Sequence, residues 1–174
     1  MAGLVPAIHV FNVGRPKTRM PGTGLHSGRP TGRTRVAGHD GERAMKKSFV
    51  RGERAEKRAY SPVVITEGSA KTLWLAGHTG AVDDAGKSLA GDFDAQCRQT
   101  FRNIEKTLAQ AGARLADLVT MTVFLIDARY TTRMTELRIE IFGKDFPASA
   151  AITVAGFAQP EMMIEIQCVA VIAA

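Results

Sequence analysis

One acid interrupts the most apolar stretch of the chain. In "EMMIEIQCVAVIA", residues 161–173, Glu165 stands between two isoleucines. A lone carboxylate so placed can take a proton from water and return it to a leaving group, which is general acid–base work. Strand alternation puts Met163, Glu165, Gln167 and Val169 on one face, and Ile164, Ile166, Cys168 and Ala170 on the other. The Glu165 face then carries two polar groups, as a cleft wall would; the plainer reading is a solvated acid on an edge strand. A second stretch, "FPASAAITVAG" at 146–156, has no charge, and a pocket there would have its mouth lined by Ser149, Ala150 and Ala151. His78 is the only one of four histidines beyond residue 44. With no second His or paired Cys at ligand spacing, no metal site is expected. Cys97 and Cys168 fit free, buried thiols in a reducing compartment, and a cytoplasmic location follows as the expectation.

These residues need elements to position them. "SPVVITEG" and "KTLWLAG" read as two strands, paired as a hairpin around Glu67–Ala70. A loop with Gly80, Gly86 and Gly91 leads to a helix capped by Asp92. Its apolar stripe is Cys97, Phe101, Ile104, Leu108 and Ala111, and Gly112 stops it. "DLVTMTVFLID", 117–127, is apolar enough for a strand buried on nearly both faces. A second helix over 130–142 turns Met134, Leu137, Ile141 and Phe142 inward, and Gly143 ends it. Two closing strands follow. The order β-β-α-β-α-β-β predicts an α+β fold, with two helices on one face of a mixed sheet. The other face would still carry Val64, Trp74, Val123 and Phe124, so it is expected to pack on another subunit.

The chain has 174 residues, enough for one core, and a formal net charge of +6. Residues 1–44 hold 7 of the 23 basic and 2 of the 17 acidic residues, so the basic character belongs mostly to this segment. Its Gly, Pro, Thr and Arg cannot bury enough surface to offset ordering, and disorder is expected. A targeting peptide and a start codon placed too far upstream of Met45 are both open readings, and the folded domain is expected over 45–174. No apolar run approaches the ~18–20 residues that span a bilayer.

The residues from about 46 to 174 resemble the RidA (YjgF) family. "AYSP" at 59–62 and "LWLAGHTG" at 73–80 match two of its segments. "DAQCRQTFRNIEKTLAQAGARLADLVTMTVFLID" at 94–127 is the most specific match, and "FPASAAITVA" and "IEIQCVAV" match the closing strands. The resemblance implies a homotrimer of chorismate-mutase-like subunits with clefts between them. It implies a deaminase that hydrolyses reactive enamines and imines without metal or cofactor. Carried over by position, Glu165 and Tyr60 would handle the attacking water, and the backbone near Gly77 would contact the ligand. His78 stands where the family has Gln, and Thr135 and Ala151 stand at its asparagine and small-residue positions; the resemblance makes these three, with Ser149, candidate ligand contacts. The family's carboxylate-holding arginine is Ser149 here, which marks a subgroup lacking that arginine. Weak activity on 2-iminopropanoate and a more neutral ligand are therefore expected. Arg129 and Arg133 are read as a solvated helix face.

Three functions remain in view. The first is an enamine or imine deaminase, and the second is a trimer that binds a small metabolite without turnover. The third, action on RNA, is disfavoured by the near-neutral domain and its lack of stacking aromatics.

Overall fold

The computed structural model describes residues 44–174, and the expectations for the N-terminal segment lie outside them. Strand β1 (Lys46–Val50) and a single turn α1 (Glu53–Glu56) precede β2 (Val63–Glu67) and β3 (Ala70–Thr79). Helix α2 (Phe93–Gln110), β4 (Leu118–Leu125), α3 (Thr131–Phe142), β5 (Ala148–Thr153) and β6 (Ile164–Ala173) complete the chain. The main sheet has the order β3-β6-β4-β5, antiparallel except for the β4–β5 pair, with α2 and α3 packed on one face.

Local signals position the helices. The Asp92 side chain accepts from the Ala95 amide at 2.9 Å and opens α2. Gly112 and Gly143 follow the helices at positive φ, +72° and +67°, which an L side chain rarely adopts, and so end each one. The stripe of α2 goes into the core through Cys97, Phe101, Ile104 and Leu108, each at most 2% exposed, while Ala111, expected to extend it, caps the helix and is exposed. Met134 and Leu137 of α3 meet them, and Phe101 packs edge-on against Phe142 at 5.6 Å. Both cysteines are free and buried. Burial pushes the thiols up, to about 12 for Cys97 and about 11 for Cys168.

Three expectations are corrected. The β2–β3 hairpin does not form: β2 pairs antiparallel with β1, from Lys46↔Glu67 to Val50↔Val63, as a separate two-stranded ribbon. Five residues with two lysines gave β1 no alternation to read, so the true partner of β2 was missed. Strand β4 is buried on one face only, through Met121, Val123 and Leu125, while Thr120 is exposed and Thr122 and Phe124 are half-buried. Val123 pairs with Ile166 in the helix-covered layer and is fully buried, so it leaves the open face, as does Val64, which belongs to the ribbon. Trp74 stays on the open face, 81% exposed.

Candidate functional site

Glu165 is held by pairing on both sides. Its neighbours in register are Thr79 of β3 and Phe124 of β4. Ile164 and Ile166 are fully buried against the helices, so the Glu165 side chain points to the open face. The alternation expected for β6 is thus the one the fold uses. The start of β6 is fixed by Gln96 of α2, which is fully buried. Its carboxamide nitrogen donates to the carbonyls of Leu89 (3.0 Å) and Glu161 (2.8 Å), and its oxygen accepts from the Met163 amide (2.9 Å). A buried polar residue on an apolar helix stripe was the sequence signal for this anchor.

Gly77 lies beneath the Glu165 carboxyl. A Cβ built on Gly77 would stand 1.9 Å from Glu165 Oε1 and 2.7 Å from its Cδ. Only a bare backbone lets the carboxyl group lie there. The β3–β6 register shifts between Leu75 and His78, and this bulge carries Gly77. The same bulge turns His78 away. His78 pairs with buried Ile166, and its ring bonds the Ala76 carbonyl and Thr107 Oγ1 of α2, both at 2.8 Å. His78 and Glu165 therefore lie on opposite faces, and the structure does not bring them together.

Ser149 is also on the helix side. It pairs with Met121, which pairs with Cys168, and both partners are buried under the helices. Ala151 pairs with Val123 on that side too. The backbone of Tyr60 runs close by. Ser61 bridges Ala148, donates its amide to the Pro147 carbonyl (3.2 Å) and its hydroxyl to the Phe146 carbonyl (2.6 Å). Thr135 lies one helical turn before Arg138 on α3, its hydroxyl donating to the Thr131 carbonyl at 3.0 Å. The candidate residues thus form two half-sites. Glu165 and Gly77 occupy the open face, while Ser149, Ala151, Thr135 and the Tyr60 segment gather at the β5 edge on the other side. The strand β4 stands between them in the sheet.

Arg138 was missed. It is 6% exposed, and Nη1 donates to Ser149 Oγ at 2.7 Å while Nη2 donates to the Arg58 carbonyl at 2.8 Å. Its position was legible, since 134, 137, 138 and 141 make one helix face. Arg133 and Arg129 behave as read. Arg133 Nε donates to both Asp94 oxygens (2.8 and 3.0 Å), and Arg129 holds Asp127. Among the described residues no group of three or more His, Cys, Asp or Glu side chains gathers as a metal site, and no helix is long and apolar enough to cross a membrane.

Known proteins resemble the chain in sequence and in fold. The family model described as Endoribonuclease L-PSP matches residues 52–172. A RutC family protein of Pyrococcus horikoshii is 34% identical over 98 residues, 56% of this chain and 77% of its own length. The human 2-iminobutanoate/2-iminopropanoate deaminase is 29% identical over 112 residues, 64% of this chain and 79% of its own length. Among solved structures, the Rid family protein YyfB of Yersinia pestis superposes with a TM-score of 0.63 at 26% identity, over 71% of this chain and 97% of that one. In sequence and in fold, the chain belongs to the YjgF/RidA family.

Proposed function

We propose that the chain assembles as a homotrimer and hydrolyses a small enamine or imine in the clefts between subunits. The observation that carries this reading is the Glu165 carboxyl lying over the bare backbone of Gly77 on an otherwise uncharged face. The relatives named as 2-iminobutanoate/2-iminopropanoate deaminases support the reaction class. The division into two half-sites supports the assembly, because Glu165 of one subunit meets a Ser149 edge only on a second copy.

In this reading, water enters beside Glu165, and the carboxylate takes a proton as the oxygen adds to the C=N carbon. Glu165 returns that proton to the nitrogen, giving the carbinolamine, which then collapses: the carboxylate relays the hydroxyl proton to nitrogen, the C–N bond breaks as the C=O bond forms, and ammonia leaves with a carbonyl product behind. The substrate lies between the Gly77 backbone of one subunit and Ser149, Thr135, Ala151 and Tyr60 of the next. His78 serves the β3–α2 packing and takes no part.

The test is ammonia release from 2-aminoacrylate generated in situ by a dehydratase. Wild type accelerates it, and Glu165→Gln lowers the acceleration by about 10²–10⁴-fold, the usual range for a lost general base. Saturable ligand binding with no turnover would replace this reading with the metabolite-binding trimer.

A further inference from the structure

Arg138 is a buried cation without a counter-ion. It occupies an apolar face of α3, between Leu137 and Ile141, and is 6% exposed. No carboxylate pairs with it among the described residues, and its Nε has no partner. The neighbouring Cys97 thiol, pushed up to about 12, is neutral at physiological pH and supplies no charge. Burial accordingly holds the guanidinium below its usual range. Two neutral acceptors, Ser149 Oγ and the Arg58 carbonyl, do not offset the several kcal/mol that burying an unpaired ion costs.

The direction of the Ser149 contact matters. Its oxygen accepts from Arg138 Nη1, so its own proton is left to point elsewhere. Ser149 is half-buried on the edge strand β5, with Thr135 and the Tyr60 segment nearby. A hydroxyl backed by a guanidinium is polarised into a stronger donor, and the positive field behind it favours an anion in front. A sequence without arginine at 149 thus regains a cation at that spot from α3.

We propose that Arg138 is a positioning residue that polarises the Ser149 hydroxyl, and that this pair makes the half-site select a carboxylate-bearing ligand over a neutral one. The inference rests on the deaminase reading for the ligand's place, and it reverses the expectation of a neutral ligand drawn from Ser149 alone. The carboxylate accepts from Ser149 Oγ–H while the guanidinium stays behind it.

The experiment measures direct binding of pyruvate, the product that 2-iminopropanoate hydrolysis would leave, and of neutral pyruvamide to the full chain by calorimetry. Wild type prefers pyruvate about tenfold, equivalent to about 1.4 kcal/mol. Ser149→Ala and Arg138→Met each bring the ratio close to one, and Arg138→Lys restores part of it. A merely structural Arg138 would weaken both ligands alike and leave the ratio unchanged, which overturns the proposal. So does a wild type that does not discriminate, or a preference that survives Ser149→Ala. If Arg138→Met does not fold, the half-buried Ser149 variant decides. Absence of imine turnover with the preference intact sinks the deaminase reading alone. Glu165-dependent turnover with a ratio near one sinks only the Arg138 assignment.

Discussion

The two faces of the four-stranded sheet are finished in different ways. Under α2 and α3 the side chains of Met121, Val123, Leu125, Ile164 and Ile166 are at most 1% exposed and find their neighbours within the chain. The open face carries Glu165 and, further along the strands, a shallow cleft of about 380 Å³ lined by Trp74, Thr120, Thr122 and Gln167 of β3, β4 and β6. One face spends its residues on stability. The other is a mixed apolar and polar surface of the kind that meets a partner and a ligand. In the proposed reading, function collects where the core stops, at Glu165 on the open face and at Ser149 on the edge of the covered one.

The sharpest way to break this contrast is a substitution on the covered side. Ile166 is fully buried and lies one residue from Glu165. Ile166→Ala removes buried methyl groups and leaves a cavity, which costs about 2–5 kcal/mol in a well-packed core. Chemical denaturation of the purified variant reads this loss. A cost under ~1 kcal/mol would mean that the covered face is loosely packed, and the distinction between the faces would fail.

The open face predicts a different signature. Trp74→Glu puts a charge at a position that is 81% exposed in the single chain. The fold of the chain loses little, since surface substitutions usually stay within about 0.5 kcal/mol. Assembly is what suffers: light scattering shows monomers where wild type shows trimers, and the concentration dependence of the melting temperature disappears. Imine turnover falls with the trimer. A wild type that is already monomeric would remove the open face from the account.

What was legible in the sequence follows the same division. The α2 boundaries came from Asp92 and Gly112, and the facing of Glu165 came from strict alternation in β6. Both are local signals. The misreadings needed information from a distance. The partner of β2 depends on a choice between β1 and β3. In β4, apolar residues at both parities (Leu118, Val119, Met121, Val123, Phe124) hid which side faces the helices until the pairing with β6 was known. The resemblance places His78 at the cleft, and nothing local announces the bulge that changes its side. Arg138 occupied an apolar helix slot in plain view, yet arginine is so rarely buried unpaired that composition argued for the surface. The bareness read at Ser149 was real in sequence and incomplete in space.

The smallest effect belongs to the outer skin of the covered face. Arg133 ties α3 to Asp94 of α2 and to Glu136 at 2.7 Å, and Arg98 pairs with Glu140 across the same helices. These groups are solvent-exposed, and exposed pairs contribute little. If burial is what holds the helices on the sheet, Arg133→Met leaves the melting temperature at pH 7 almost unchanged. Its trace lies in acid. The hydrogen bond from Arg133 holds the Asp94 carboxyl below its ordinary value of 3.8. A carboxylate depressed in the folded state adds stability that is complete above its unfolded value and is lost as pH falls through the folded one. Wild type therefore loses this increment below about pH 4, and the variant, which never had it, falls less steeply there. A large drop at pH 7 would show that the ion pairs, rather than the apolar layer, hold α2 and α3 in place. The covered face would then depend on its surface charges as the open face, in the proposed trimer, depends on a second copy.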